Sequence, residues 1–422
     1  MEKEPEVSVV LPVYNVAGYV RECLQTIVTQ TLQDVEIICV DDGSTDGSSE
    51  ILLECAAKDS RIKVIHQDNA GAGAARNRGM DSACGRYLYF CDPDDCLAQS
   101  ALNEMCQAME SESADICVCR YVEFEDATGE VIRVSRLGEM FAEPLRQGVR
   151  SVEPATAEGN IFYAAGIGVW NKLFRRAFVV QHGLRFQEIR RTNDLFFAAS
   201  ALVSASRIAV VDKPLYFYRK GIASVTTKDM LAFSFCDALA ALKDRMVKDG
   251  LYSRYRSDFA GQALRSFVGN VKSIADLSVL TTLYPRMRAA ILNLVDDGSC
   301  LDPSHKAVYD VLRQTDDLKA LLHVFVLEGK AIEQRRHRQR YKGAAFRPES
   351  LAGEFELPAS PEEKLRQKAR KLQRRLAKQE KEAKRWKKRC KRECSKRSPD
   401  AVRSRGKSIF KRLVDKILKR GK

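Results

Sequence analysis

The sequence predicts an α/β fold: a Rossmann-like, mostly parallel sheet with helices on both faces, followed by a helical region and a basic helical tail. Three observations carry this reading. Val7-Ser8-Val9-Val10-Leu11 and Val35-Glu36-Ile37-Ile38-Cys39-Val40 have the apolar density of strands covered on both faces. Stretches of helical period lie between the strand-like runs, as parallel pairing requires. Two of the runs end in carboxylates, Asp41-Asp42 and Asp92-Pro93-Asp94-Asp95. In open α/β sheets, ligands sit beyond the carboxyl ends of the strands.

Residues 6–119 alternate strand and helix. The first strand, 7–11, is broken by Pro12-Val13-Tyr14-Asn15, and an amphipathic helix follows at about 18–30. After strand 35–40, Asp42-Gly43-Ser44-Thr45-Asp46-Gly47 reads as a turn capping a helix over 47–58. Ile62-Lys63-Val64-Ile65 is a short strand, and Gly71-Ala72-Gly73-Ala74-Ala75-Arg76-Asn77 opens another helix. Strand 86–91, a helix near 99–111 and strand 115–119 complete the alternation. Residues 120–225 are more mixed, with a hairpin turn at Asp126-Ala127-Thr128-Gly129. Residues 226–342 show helical periods without a chemical motif and read as a helical domain. Residues 343–360 read as a linker.

The tail is periodic. Leu365, Ala369, Leu372, Leu376, Gln379, Ala383, Trp386 and Cys390 form a heptad seam, so 361–397 is expected as a basic coiled coil or long helix, with self-association through that seam. Residues 403–422 end in a helix whose Ile409, Phe410, Leu413, Val414, Ile417 and Leu418 share one face among lysines and arginines. Such a helix suits an anionic membrane surface.

The net charge of +14 is uneven. Residues 361–422 hold 27 Lys and Arg against 7 Asp and Glu, a balance of +20, which leaves the first 360 residues at −6. The body is therefore mildly acidic, and the tail lacks an aromatic stacking platform. Both features weigh against nucleic-acid binding. The 13 cysteines are odd in number and form no Cys-x-x-Cys pair, as expected of reduced core thiols in a cytosolic protein. No signal peptide or membrane span is expected, which places the protein in the cytoplasm, peripheral at the inner membrane face.

Three carboxylates within four positions at a strand tip repel one another, and a hard divalent cation, Mn²⁺ or Mg²⁺, removes that repulsion. An acidic pair at a second strand tip suggests that the metal is bound together with a phosphorylated ligand.

Val7 to Asn15, Val40-Asp41-Asp42-Gly43-Ser44-Thr45-Asp46-Gly47, Asn69 to Asn77 and Asp92-Pro93-Asp94-Asp95 together resemble a family 2 glycosyltransferase of the GT-A fold. Trp170-Asn171-Lys172-Leu173-Phe174, Asn193-Asp194-Leu195-Phe196 and Tyr216-Phe217-Tyr218-Arg219 resemble bacterial members that build capsule, exopolysaccharide or teichoic-acid glycans. The resemblance divides the chain into a nucleotide-sugar-binding half, 1–119, and an acceptor-binding part, 120–225.

It implies inverting transfer from a nucleotide-sugar donor, a UDP-sugar foremost, to a glycan or lipid-linked acceptor. Asp94 would bind the cation that bridges the two phosphates. Asp95 would touch the metal or its water, or cap the next helix. Asp92 would sit near the ribose. Asp42, beside Asp41, would accept from the base, or begin an Asx turn. Pro12, Tyr14 and Asn15 would wall the nucleoside, with Tyr14 equally suited to packing. The Gly71-x-Gly73 pair would let backbone approach the donor. Arg76 would reach a phosphate or the donor sugar, or form a surface salt bridge. Asp194 would be the base, a role compatible with capping a helix. Asn193 stands where the family has Glu, so a carboxylate at the acceptor side is missing. Trp170 fits an acceptor sugar or the core equally well. A different class of function is a membrane-docked scaffold or pseudoenzyme that binds nucleotide sugar without transfer.

Overall fold

The computed structural model describes residues 4–315, apart from 149, 190, 222–232, 275–276 and 297. The chain divides into two compact units, 1–340 with 345–356 and 341–344 with 357–422. The second unit, the linker, the heptad seam and the basic amphipathic helix lie outside the described residues.

The elements run β1 (Val7–Val13), α1 (Val20–Val28), β2 (Val35–Asp41), α2 (Ser48–Ala56), β3 (Ile62–His66), α3 (Ala72–Ser82), β4 (Tyr87–Phe90), β5 (Cys96–Leu97), α4 (Ala101–Ser111) and β6 (Ile116–Glu125). There follow β7 (Val131–Val134), α5 (Glu139–Arg146), β8 (Ser151–Val152), α6 (Ile161–Ala165), β9 (Lys172–Arg175), α7 (Arg176–Gln181), α8 (Asn193–Ser204) and β10 (Ile208–Lys220). Helices α9 (Ser234–Lys248), α10 (Tyr252–Ser273), α11 (Leu277–Leu294) and α12 (Pro303–Gln314) close the described chain. None of the described helices is long and apolar enough to cross a membrane.

The sheet has the order β3-β2-β1-β4-β9-β6-β10-β5, with β7 beside β6 and β8 beside β10. Its first four strands pair in parallel, as the buried runs predict. Beyond them the sheet is mixed. β9 enters antiparallel between β4 and β6, while β6 and β10 pair in parallel. Alternation splits each central strand between two cores. Val7, Val9, Leu11 and Val13 face α1 and α4, with Tyr87 and Tyr89 beside them. Val10, Leu88 and Phe90 face α3 and α8. Helices α9 to α12 share that second core.

Pro12 does not end β1. The register pairs Val10 with Phe90, the last residue of β4, so β1 outruns that neighbour before Pro12. The missing N–H therefore costs no hydrogen bond to β4. The same register sets Asp92 near the level of Pro12, while Asp41 pairs with Val13. Both acidic tips thus reach one carboxyl edge. The hairpin turn expected at 126–129 joins β6 to β7, with Gly129 at φ 64°.

A buried polar knot ties the opposite edge. Glu36 accepts from Ser8 Oγ at 2.5 Å, Cys84 N at 2.8 Å and Lys63 Nζ at 2.8 Å. Burial pushes its pKa up, but the hydrogen bonds from Lys63, Ser8 and Cys84 win and hold it at about 2. A folded pKa below the unfolded value adds stability that is present above pH 4.5 and is lost as pH falls toward 2. Glu36→Gln is expected to lower unfolding free energy at pH 7 by about 3 kcal/mol. Urea titrations should show the deficit narrowing below pH 4.5.

Candidate active site

The turns after β1 and β2 are stitched together by short polar side chains. Asn15 adopts φ 51°, which Asn tolerates better than most residues. Its backbone N donates to Ser44 Oγ at 3.2 Å, and its Oδ1 accepts from Thr45 N at 2.8 Å. Asp46 accepts from Ala17 N at 2.9 Å. Tyr14 is half-buried beside this seam.

The two aspartates of the β2 tip divide their work. Asp41 makes the Asx turn, accepting from Ser44 N at 3.0 Å, and its other oxygen lies 3.1 Å from His66 Nδ1. Burial would raise its pKa, but the bonds from Ser44, Ser49 and His66 outweigh burial and lower it. Asp42 makes no such turn. Its carboxylate accepts from Gln67 Nε2 at 2.7 Å, Ala70 N at 2.8 Å and Gly71 N at 2.8 Å, and so shapes the loop leading into α3.

Arg76 leaves α3 toward the tip of β4 and is only 7% exposed, so it is no surface salt bridge. Its Nη2 donates to Asp92 Oδ1 at 2.6 Å and its Nη1 to Asn193 Oδ1 at 2.7 Å. Its guanidinium lies over the Phe186 ring, 5.4 Å from the centroid. Its Nε is buried with no partner among the described residues. A buried donor without an acceptor is costly, and a ligand oxygen would relieve it. Asn193 thus serves Arg76 as an acceptor through its amide oxygen.

The two glycines before Arg76 are required for different reasons. A Cβ on Gly73 would lie 2.1 Å from Gln187 O and 3.2 Å from Asn193 Cβ. Gly73 lets α3 press against the segment leading into α8, and that contact brings Arg76 and Asn193 together. Gly71 sits at φ 93° with open space around its Cβ position, so backbone conformation requires it there.

Asp194 stands in the first turn of α8. The N-cap position belongs to Thr192, at φ 64°, so Asp194 does not cap. Burial raises its pKa, Arg76 opposes the rise, and Asp92 adds to it. Asp194, Arg76 and Asp92 therefore form one electrostatic group.

The acidic turn after β4 presents two carboxylates and withdraws a third. Asp92 is held by Arg76. Asp94 is half-buried; its carbonyl accepts from Arg219 Nε at 2.7 Å, while its carboxylate has no hydrogen bond or ion pair to another side chain among the described residues. Burial, with Asp92 beside it, pushes its pKa up to about 6. Asp95 is buried, 1% exposed, and does not cap α4, whose N-cap is Ser100. Its carboxylate accepts from Tyr216 Oη at 2.6 Å and Arg219 N at 2.7 Å. Of the two residues expected at the metal, Asp94 stays partly exposed and Asp95 is buried against β10.

Trp170 joins an aromatic cluster. Its ring stacks on Tyr216 and Tyr218, with centroids 4.7 and 5.2 Å away, and meets Tyr121 edge-on. Sequence reasoning missed the reason for the lysine two residues on. Lys172 is wholly buried, and its Nζ donates to Ala165 O, Gly168 O and Asn171 Oδ1 at 2.7–2.9 Å. It gathers the loop that carries Trp170, and burial pushes its pKa down to about 7. The signal in the sequence was slight, a lysine opening the four-residue strand Lys172-Leu173-Phe174-Arg175.

Residues 8–166 match the family described as glycosyl transferase family 2. EpsH of Bacillus subtilis is 36% identical over 228 residues, a match covering 53% of this chain and 63% of EpsH, so the chain spans less than two thirds of that relative. The glycosyltransferase GlyG of Streptococcus pneumoniae is 31% identical over 221 residues, covering 52% of this chain and 72% of GlyG. Among solved structures, S. aureus TarS 1-349 in complex with UDP superposes with a TM-score of 0.58 at 18% identity, covering 84% of this chain and 97% of TarS 1-349. That likeness is one of fold. With the four motifs on one sheet edge and relatives of this kind, the chain belongs to glycosyl transferase family 2.

Proposed function

We propose that this protein transfers a sugar, with inversion, from a nucleotide-sugar donor to a glycan or lipid-linked acceptor in cell-surface polysaccharide synthesis, using Mn²⁺ or Mg²⁺. The observation that carries this reading is a half-buried Asp94 carboxylate with no side-chain partner among the described residues, raised in pKa by burial and Asp92, on the same sheet edge as Arg76, whose buried Nε lacks an acceptor among them. A nucleoside diphosphate with its cation answers both needs.

The residues fit such a cation. No group of three His, Cys, Asp or Glu among the described residues is arranged to hold a metal alone. Mg²⁺-type sites need only one or two carboxylates when substrate phosphates complete the shell. Asp94, with Asp92 beside it, would hold the ion against the diphosphate. When bound, it supplies positive charge against the leaving diphosphate.

The chain's own residues do the rest. Pro12, Tyr14, Asn15, Asp41 and Asp42 wall the nucleoside at the carboxyl edge. Arg76 neutralises charge on the departing phosphate. Asp194 takes the proton from the acceptor hydroxyl as its oxygen forms the bond to the anomeric carbon. The bond from that carbon to the phosphate oxygen breaks, and its electron pair leaves with the diphosphate. One displacement inverts the centre. Trp170 and Asn193 flank the acceptor. Association with an anionic membrane, and any pairing of the heptad seam, would rest on residues 361–422.

A UDP-linked donor is the one to test first, because TarS, a fold neighbour, was solved with UDP. Nucleotide release would be followed with UDP-, GDP- and dTDP-sugars, with Mn²⁺ or Mg²⁺ and with EDTA. Release from one donor class, lost in EDTA, is the expected result. No release and no metal-dependent binding of any nucleotide would sink the transferase reading and favour a scaffold.

A further inference from the structure

We propose that Tyr216 and Arg219 are positioning residues that hold the 92–95 turn so that the Asp94 carboxylate meets a divalent cation, with the buried Asp95 as their handle. The inference rests on the transferase reading above.

The 92–95 turn lies beyond the last ladder residue of β4, Phe90, so no sheet bond fixes it. Its internal bond is Asp95 N to Asp92 O at 3.2 Å. Arg76 holds the Asp92 carboxylate at 2.6 Å and Cys23 Sγ lies 3.6 Å from Asp92 O, and the bonds that reach Asp94 and Asp95 come from β10, more than a hundred residues away. Tyr216 Oη donates to Asp95 Oδ2 at 2.6 Å and accepts from Asp92 N at 3.4 Å. Arg219 contributes twice, from its backbone N to Asp95 Oδ1 at 2.7 Å and from Nε to the carbonyl of Asp94 at 2.7 Å. Each of the three aspartates is thereby fixed at its backbone or side chain, and among the described residues the carboxylate of the three left without a side-chain partner is that of Asp94.

Arg219 is itself fixed. Its Nη1 donates to Asp126 at 2.7 Å and its Nη2 to Glu22 at 2.7 Å, so the hairpin turn and α1 aim the guanidinium. Lysine keeps the charge but lacks the fork that serves three acceptors in fixed directions. A cation held by so few protein ligands depends on their placement, and outer partners of metal ligands are worth roughly 10–100-fold in affinity.

The test is titration calorimetry of Mn²⁺ into full-length protein with UDP present, beside UDP titration without metal and a melting curve. In wild type, Mn²⁺ binds. Tyr216→Phe and Arg219→Lys are each expected to weaken Mn²⁺ roughly tenfold, with metal-free UDP affinity changed less than about twofold and the melting transition retained. Asp95→Asn keeps an acceptor for Arg219 N and a polar group for the Tyr216 hydroxyl. It should weaken Mn²⁺ less than these two, whereas Asp94→Asn abolishes binding.

Unchanged Mn²⁺ affinity in both β10 variants overturns the proposal. So does loss of Mn²⁺ binding in Asp95→Asn as complete as in Asp94→Asn, which would make Asp95 a ligand. A collapsed melting transition in both β10 variants makes the pair structural and likewise overturns it. If wild type binds no Mn²⁺ with UDP, the transferase reading fails, and this inference with it.

Discussion

Asp94→Asn is expected to abolish Mn²⁺-dependent UDP binding and cut nucleotide release at least about a thousandfold, while making the unliganded protein more stable. The two effects share a cause. In the folded chain, burial and Asp92 lift the Asp94 pKa from 3.8 to about 6. Between those values the native state holds a proton that the unfolded chain has lost, so stability falls as pH rises through the window. At neutral pH the ionised carboxylate costs about 2 kcal/mol, after allowance for its partial exposure. Asn carries no such charge. Melting temperatures without metal should therefore be a few degrees higher for the variant above pH 6, and the two curves should converge toward pH 4. Saturating Mn²⁺ and UDP reverse the order, because ligand bound only to the native state stabilises wild type alone. A variant less stable than wild type at pH 8 without ligand would mean that Asp94 supports the fold, and the metal assignment would lose its basis.

The parallel half of the sheet was legible because its strands are buried on both faces and spell continuous apolar runs. The helices between them carry their own periods. The acidic tips were legible as strand ends, because each carboxylate run directly follows a continuous apolar strand. What the sequence hid depends on partners far along the chain. Arg76 finds Asn193 across 117 positions and Arg219 finds Asp95 across 124. No local pattern says that Asp95 is buried while its neighbour Asp94 stays partly exposed. Equally, Asp42 reads as an Asx turn until the 67–71 loop is seen to fold onto it. The antiparallel entry of β9 was hidden for the same reason, since Lys172-Leu173-Phe174 reads alike in either direction. Gly73 was legible as a need for close approach, but the Gln187 backbone was not legible as its partner.

Asp194→Asn is expected to reduce turnover by about a thousandfold, within the range that general bases contribute, and to leave donor binding intact. The side chain is nearly isosteric, so the first turn of α8 is kept. Loss of a negative charge near a helix N-terminus costs up to about 1 kcal/mol, and relief from burying that charge offsets it. Stability should therefore move little, and a lowered melting temperature would argue for a structural role. The raised pKa of Asp194 makes it a better proton acceptor than an exposed aspartate, and turnover should fall on the acid side as it becomes protonated. Asn193→Glu probes the same group from the other side. A second carboxylate beside Arg76 would compete with Asp92 for the guanidinium and add like charge near Asp194, moving the acid limb of the pH profile upward. Donor hydrolysis over pH 4–9, with saturation by UDP-sugar measured separately, distinguishes the cases. A full rate in Asp194→Asn would assign the base elsewhere, and an unmoved acid limb in Asn193→Glu would mean that Asp194 does not set it.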